Sequence, residues 1–313
     1  MGNALFYLAT VLIWGSTWIA ITFQLGVVDP QISVAYRFLL AALLLLLYGA
    51  VRRLPLRFNV RGHLFIALQG LCLFGFNYWL IYLSTQYLTS GLIAVLFSSV
   101  IAMNIVNGAL FLGSPIRGYV VLGATTGLLG IALVFWPELS GVELTGDTVI
   151  AMALALFGTY LASLGNIVSA RNQRAGLPVV QTNAFGMAYG GAAMLLVALV
   201  SGTTLNFEGS VAYLSSLLYL SIFGSIVAFG CYLTLVGRLG ADKAAYAMLL
   251  FPIVALQLSV WFEDYLWSPQ SLIGVALILL GNAIILIKPQ QLKRLINKPL
   301  RETAIAQESE CRG

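Results

Sequence analysis

The sequence predicts an all-α integral membrane protein, with ten transmembrane helices arranged as two inverted five-helix repeats around a central cavity. Three observations lead to this prediction. Hydrophobic residues make up 60% of the 313 residues and charged residues only 9%, whereas charged residues are about 25% of a soluble domain. Apolar runs of about 20 residues, the length that crosses a bilayer, recur with short connections between them. The second half of the chain also repeats the first.

Each predicted span is an apolar run long enough to cross the bilayer as a helix. The first run lacks a basic flank and a small-residue cleavage site, so we predict a retained helix and not a removed signal peptide. A basic tail, 290–313, follows the last run and is expected in the cytoplasm. The predicted spans are 4–23, 33–51, 64–83, 90–112, 119–136, 148–170, 180–201, 211–236, 243–262 and 270–288.

The placement of Lys and Arg predicts the orientation. Of 16 Lys and Arg residues, all but Arg37 lie in the tail, in segments after even-numbered spans or at the adjoining span ends. Short loops rich in Lys and Arg stay in the cytoplasm, so both termini are predicted to be cytoplasmic, and the compact chain favours a bacterial inner membrane. The positive net charge therefore reflects topology, and no basic stretch interleaved with aromatic residues indicates a nucleic-acid partner.

An internal repeat relates the two halves of the chain. An offset of 151 residues superimposes spans 3–5 on spans 8–10 without a gap, and places Gly123 and Gly130 on Gly274 and Gly281. Two copies of five helices must have opposite orientations, because five is odd. Inverted repeats with a site at their interface are typical of secondary transporters that alternate access between the two sides. The predicted repeats are 1–137 and 147–289.

Several motifs resemble the EamA-type drug/metabolite transporter superfamily. They are WGSTW at 14–18, YRFLLAALLLLL at 36–47 and DKAAYAMLLFPIVALQLSVWF at 242–262, followed by GVALILLGNAIIL in span 10. The resemblance covers residues 1–289, and the aromatic-rich spans 1 and 3 look most like the YddG-like amino-acid exporters. It implies a basket of helices 1, 3, 4, 6, 8 and 9 around the cavity, supported by the other four. The chain departs from the family at the end of span 4, where FLGSPI replaces the usual Gly-Glu-type ending.

A stripe of polar and aromatic side chains in span 1 predicts a cavity wall. Asn3, Tyr7, Thr10, Trp14 and Thr17 recur every three or four residues on one helix face, and such groups turn away from lipid. Alternatively, the hydroxyls bond to local carbonyls or to a neighbouring helix. Other spans add amides, hydroxyls and rings near mid-membrane. The predicted substrate-binding residues are Thr10, Trp14, Thr17, Asn77, Tyr78, Tyr82, Ser98, Ser99, Phe157, Tyr160 and Tyr246.

Two further residues stand out within predicted spans. Pro252 in span 9 frees a backbone carbonyl and is a hinge, a cavity-lining kink or a static bend. Arg37 lies about one turn into span 2, where a charge is costly. It is either a structural anchor, whose long stem lifts the charge toward the headgroups or Asp29, or a cation that attracts a substrate carboxylate. The resemblance, which implies an arginine here in family members of differing substrate, favours the structural role.

The absence of acidic residues inside the predicted spans bears on function. Proton- or sodium-driven carriers keep titratable groups within the membrane, and a pocket without fixed negative charge suits neutral or zwitterionic solutes. We therefore predict a secondary transporter that exports neutral or aromatic amino acids and similar small metabolites, by uncoupled facilitated or exchange transport. The alternatives are proton-coupled drug/metabolite efflux, carriage of anionic sugar phosphates or nucleotide sugars, a channel, and a membrane enzyme.

Cofactor and metal sites are not expected. The chain has one His and three Cys residues, with no CxxC or Cys/His pair that would indicate a disulfide framework or zinc. One histidine and no acid in the spans leave no catalytic cluster, so we predict that the protein is not an enzyme. The expected partners are a small-molecule substrate and the lipid bilayer. The oligomeric state is left open, and a monomer is compatible with the sequence.

Overall fold

The computed structural model describes residues 2–24, 26–84, 87–88, 90–140, 145–262 and 267–286. The regular structure of these residues is helical, without a strand, which confirms the predicted all-α class. Six helices are long and apolar enough to cross a membrane, and three further apolar helices are shorter, Asn3–Thr17, Gly118–Val134 and Pro269–Ile285. The six are Pro30–Val51, Val60–Ser84, Val95–Leu112, Gly146–Arg174, Val179–Val200 and Val211–Leu239.

Helices are labelled in chain order, with consecutive short segments under one label and the short helix Trp136–Ser140 left without one. The labelled helices are α1 Asn3–Thr22, α2 Pro30–Val51, α3 Val60–Ser84, α4 Ser90–Ser98 and Val100–Leu112, α5 Gly118–Val134, α6 Gly146–Arg174, α7 Val179–Val200, α8 Val211–Leu239, α9 Ala241–Ala244 and Ala247–Phe262, and α10 Pro269–Leu286.

Helix starts follow capping residues in the sequence. Asp29 accepts a hydrogen bond from the Gln31 amide at 3.0 Å, and Pro30 occupies the first position of α2. Asn59 caps α3 at 2.7 Å from the Gly62 amide, and Ser210 caps α8 in the same way. These side chains satisfy amides that the first helical turn leaves unpaired. Helix α3 therefore begins four residues before the predicted span.

The 151-residue offset recurs in the backbone. Helices α3 and α8 begin 151 residues apart, and so do α5 and α10. In addition, α3 and α8 each contain a π-helical segment, Leu71–Phe76 in α3 and Leu220–Val227 in α8. At this offset the two segments overlap. Widened turns of this kind occur frequently at functional sites.

Glycines allow the closest helix contacts. A Cβ added to Gly130 in α5 would lie 2.6 Å from the Gly274 carbonyl oxygen in α10. A Cβ on Gly70 of α3 would overlap the Gly186 carbonyl of α7. Conversely, a Cβ on Gly190 of α7 would lie 2.7 Å from the Gly70 carbonyl oxygen. Backbones that approach this closely are typical of small-residue packing between membrane helices.

Candidate functional site

A cavity of about 170 Å³ lies among α1, α3, α4, α6, α8 and α9, with one contribution from α2. Ile21, in the last turn of α1, is part of its wall, so the cavity extends toward the end of the bundle that carries Asp29. This is called the Asp29 end below. The lining residues are Trp14, Thr17, Ile21, Arg37, Leu73, Asn77, Tyr78, Ile81, Tyr82, Ile93, Phe97, Ala162, Asn166, Phe229, Met248 and Phe251.

Trp14 is held in place by α8. Its ring packs edge-to-face on Phe229 at 4.9 Å between centroids, and its other neighbour, Tyr232, is 5.1 Å away. The indole Nε1 donates a hydrogen bond to the Gly224 carbonyl at 3.1 Å. Gly224 lies in the π segment of α8. The π segment thus supplies the acceptor for the N–H of this half-buried indole.

Arg37 is the only charged residue among the described residues of this cavity wall and is 3% exposed. Its Nε donates to Ser225 Oγ at 2.8 Å, and its guanidinium carbon lies 5.5 Å from the Tyr78 ring centroid. Among the residues that the structure describes, no carboxylate forms an ion pair with Arg37. The Asp29 side chain accepts from the Gln31 amide instead. An ion pair with Asp29, one of the anchors considered for Arg37, is therefore not formed among the described residues.

Asn77 and Tyr78 join the cavity to the helices around it. The Asn77 amide donates to the Gly158 carbonyl of α6 at 2.9 Å. The Tyr78 ring packs edge-to-face on Phe38 at 5.0 Å. Together with Trp14, Thr17 and Tyr82, these residues form the part of the predicted site that the structure places on the cavity wall.

Six other predicted site residues do not line this cavity. Thr10 donates to the Phe6 carbonyl at 2.8 Å and Ser99 to the Leu96 carbonyl at 2.6 Å. The hydroxyls of these two residues therefore bond to nearby carbonyls of their own helices. Ser98 is buried, and Tyr160 is half-buried. The Tyr246 hydroxyl donates to the Val120 carbonyl of α5 at 2.7 Å.

Phe157 faces away from the cavity and is 54% exposed. Its neighbour Gly158 is the residue that meets α3, at the Asn77 carbonyl. Successive helix residues point about 100° apart, so the residue beside this contact faces outward. The prediction for Phe157 is therefore corrected. Pro252 lies within the helical backbone of α9, but its side chain is outside the described part of the structure.

The sequence reasoning missed Asn166 of α6, which is fully buried on the cavity wall. Neither its Oδ1 nor its Nδ2 has a hydrogen-bond partner in the described part of the chain, and the same holds for the Tyr232 hydroxyl and Asn104 Oδ1. The Tyr232 hydroxyl lies close to both amides. We call these three residues the amide cluster. An amide inside an apolar helix was the available signal.

A second cavity, of about 300 Å³, lies beyond the amide cluster. Asn104 belongs to its wall, together with Arg117, Arg174, Arg238 and Asp242. We call this the basic end of the bundle. Within the amide cluster, Asn166 therefore lies on the wall of the central cavity and Asn104 on the wall of the second cavity, and the Tyr232 hydroxyl lies close to both side chains. Within the described residues, no group of three His, Cys, Asp or Glu side chains comes together to hold a metal ion.

Comparison with known proteins gives a consistent result. The model of the EamA-like transporter family matches residues 1–136 and 149–287. Protein PagO of Salmonella typhimurium is 23% identical over 293 residues, covering 91% of this chain and 92% of that protein. The uncharacterized inner membrane transporter YedA of Escherichia coli K12 is 28% identical over 292 residues, covering 90% and 92%.

A solved crystal structure of a protein has the same fold, with a TM-score of 0.79 at 18% identity, and the match covers 93% of this chain and 98% of that one. An uncharacterized transporter of Clostridium kluyveri is 25% identical over 267 residues, covering 83% and 85%. The family, YedA and the Clostridium kluyveri protein are named for transport and not for an enzymatic activity.

Proposed function

The chain belongs to the EamA-like transporter family and is a multi-pass membrane transporter, and we propose that its substrates are neutral or aromatic amino acids and similar small metabolites. The observation that carries this proposal is the composition of the central cavity. Its described wall combines aromatic and aliphatic side chains with two amides, three hydroxyls and one cation. Such a wall suits a compact solute with an apolar body and a polar end.

The proposed architecture is ten spans in two inverted repeats, 1–137 and 147–289, with both termini in the cytoplasm of a bacterial cell and the protein in its inner membrane. Three facts support it: the shared 151-residue offset of the helix starts, the paired π segments, and the two separate family matches. Transporters built in this way move one repeat against the other around a central site.

Alternating access is the proposed mechanism. The central cavity extends toward the Asp29 end, and the amide cluster separates it from the second cavity at the basic end. We take the basic end as cytoplasmic, since Lys and Arg stay on that side. The arrangement supports a state that is closed toward the cytoplasm, in which Tyr232 packs against Trp14 of the substrate site.

Uncoupled exchange is proposed for the energetics. Among the residues that the structure describes, those lining the cavity include no acid that would take up and release a proton there. A carrier of sugar phosphates is the second candidate, because Arg37 is a cation on the cavity wall. A doubly charged phosphate needs more than one cation for compensation, and Arg37 is the only one among the lining residues.

Counterflow in proteoliposomes tests the proposed function. Vesicles preloaded with unlabelled phenylalanine, leucine, lysine, glutamate or glucose 6-phosphate are diluted into a trace of the labelled compound, with and without a pH gradient. We expect saturable exchange of phenylalanine and leucine that is indifferent to the gradient. Exchange of glucose 6-phosphate alone, flux that follows the gradient, or no exchange of any amino acid would contradict the proposal.

A matched pair of variants assigns the exchange to this cavity. Trp14→Ala removes a ring of the cavity wall and should abolish most of the exchange. Trp261→Ala removes a ring that is 66% exposed on α9 and should leave it unchanged. Equal losses in both variants would mean that transport does not pass through the central cavity.

A further inference from the structure

We propose that Arg37 binds the carboxylate of the transported solute, so that the site requires a carboxylate and does not require an ammonium group. The inference rests on the proposed function insofar as it takes the central cavity as the substrate site. It extends the substrate class to aromatic and aliphatic monocarboxylates that lack an amino group, and it excludes the corresponding amines.

The buried charge of Arg37 lacks a counter-ion among the described residues. An arginine is protonated under all physiological conditions, and Arg37 is almost completely buried. A buried charge without an opposite charge costs several kcal/mol. The rings of Tyr78 and Phe38 and the Ser225 hydroxyl compensate it in part, but no carboxylate in the described residues does so. An anionic solute in the cavity supplies the missing charge.

Arg37 also has hydrogen-bond donors that the described residues do not use. A guanidinium has five N–H donors, and the hydrogen bond that Arg37 makes with the described residues uses Nε. The four N–H groups on the two Nη atoms are left for other partners, and Arg37 belongs to the cavity wall. Paired Nη donors match the two oxygens of a carboxylate. Because Ser225 holds Nε, the guanidinium is pre-oriented for this contact.

The corresponding position in the other half of the chain is a glycine. Helices α2 and α7 both have 22 residues, and the eighth residue is Arg37 in α2 and Gly186 in α7. Gly186 packs on Gly70, next to the π segment of α3. Correspondingly, the Arg37 carbonyl accepts a hydrogen bond from Ser221 in the π segment of α8 at 3.1 Å. The contact of α7 with α3 thus has a glycine where the corresponding contact of α2 with α8 has Arg37. Packing of these helices alone therefore does not require an arginine.

The aromatic ring of Trp14 and the cation of Arg37 are held by neighbouring residues of α8. Gly224 accepts the hydrogen bond of Trp14, and a Cβ added to Gly224 would lie 3.1 Å from Arg37 Nη2. Its neighbour Ser225 holds Nε. Adjacent residues of one π segment therefore fix both the ring and the cation. A solute with a carboxylate and an apolar body can contact both groups at once.

The test uses three ligands of the same shape: phenylalanine, 3-phenylpropionate, which lacks the ammonium, and phenethylamine, which lacks the carboxylate. Binding is measured as the rise in Tm of the purified full-length protein, and independently as inhibition of phenylalanine counterflow. We expect phenylalanine and 3-phenylpropionate to raise Tm and inhibit, and phenethylamine to do neither at the same concentrations.

Variants then assign the preference to Arg37. Arg37→Gln should weaken binding of 3-phenylpropionate about tenfold or more, the value of a lost charge-assisted hydrogen bond. Arg37→Lys should keep the preference with reduced affinity, because it keeps the charge and loses the paired donors. The matched control is Arg171→Gln, since Arg171 also stacks on a ring, that of Phe65, but outside both cavities. If Arg37→Gln does not fold, Ser225→Ala replaces it, with an expected intermediate loss.

Each outcome decides the inference. Equal binding of phenethylamine and 3-phenylpropionate by the unmodified protein, an unchanged preference in Arg37→Gln or Ser225→Ala, or no binding of any of the three ligands would overturn it. Exchange of phenylalanine without a carboxylate preference would overturn the role of Arg37 and leave the proposed function standing. Carboxylate binding that depends on Arg37, without exchange of any amino acid, would support the inference and contradict the proposed function.

Discussion

The two π-helical segments lie at the same offset in the two halves of the chain but contact their neighbours in different ways. The segment in α3, Leu71–Phe76, follows Gly70, which meets α7 backbone to backbone. The segment in α8, Leu220–Val227, instead directs hydroxyl and carbonyl groups toward α1 and α2. One backbone irregularity therefore closes a helix contact in the first half and builds a polar site in the second. The two halves thus share the π-helical backbone, but their contacts differ because the side chains in and around the two segments differ.

The largest expected effect is on the glycine contact of the first half. A Cβ in Gly70→Ala would overlap the Gly186 backbone, which cannot move as a side chain would, so the free energy of unfolding should fall by about 3 kcal/mol or more. The control is Gly230→Ala in α8, where a Cβ meets nothing within 4 Å. It should raise stability slightly, because alanine favours a helix. Denaturant unfolding in micelles measures both, and similar values would refute the close contact.

The next effect separates folding from binding in the second half. In Gly224→Ala the Cβ meets Thr17 Cγ2 at 3.0 Å and Arg37 Nη2 at 3.1 Å, and both side chains can shift. We expect a loss of about 1 kcal/mol in stability and about a tenfold loss of phenylalanine affinity, because the guanidinium is displaced. Gly75→Ala in the π segment of α3 is the control, with nearest contacts of 3.4–3.7 Å. Tm and ligand-induced Tm shifts distinguish the two, and an equal loss of affinity in both would remove the proposed difference between the segments.

A smaller effect is expected when only one hydrogen bond is removed. Trp14→Phe keeps a ring against Phe229 and loses the hydrogen bond from Nε1 to the Gly224 carbonyl. Such a bond contributes about 1 kcal/mol, so the KM for phenylalanine exchange should rise about fivefold. The matched variant Trp261→Phe should leave the KM unchanged, since Trp261 is exposed. An unaltered KM in Trp14→Phe would show that the indole N–H has no part in holding the site.

The smallest expected effect is at Phe157. Its side chain lies on the outer surface of the bundle, so Phe157→Leu should leave the counterflow rate and the phenylalanine KM unchanged. This prediction tests the comparison of the two halves directly, because a shift of 143 residues aligns WGST at 14–17 with FGTY at 157–160 and so pairs Phe157 with Trp14, which lies on the cavity wall. A large loss of exchange in Phe157→Leu, with normal folding, would restore Phe157 to the substrate site.

Much of the fold could be predicted from the sequence, because apolar runs and capping residues determine where membrane helices lie. Asp29 and Asn59 are residue types that favour the position before a helix, and in the structure they cap α2 and α3. The π segments could not be predicted, since a widened turn has no composition of its own. The 151-residue offset aligned their positions without indicating their form.

The site could be predicted in part. Of the stripe on α1, Trp14 and Thr17 lie on the cavity wall, but the cavity does not reach Thr10 on the same face. An alignment of repeats predicts how deep Phe157 lies in the membrane, but not which way its helix is rotated. A shift of one residue along a helix turns the side chain by about 100°. Asn166 was overlooked among small residues that are typical of helix packing.

In the proposed alternating-access mechanism, the amide cluster affects the balance between the two states of the carrier. Asn104, Asn166 and Tyr232 leave buried polar atoms without partners in the described state, and each such atom costs about 1–3 kcal/mol. Water that enters when the basic end opens would supply those partners and offset the apolar contacts that opening breaks. The two states can then lie close in free energy, so that binding energy from a small solute is enough to move the equilibrium between them.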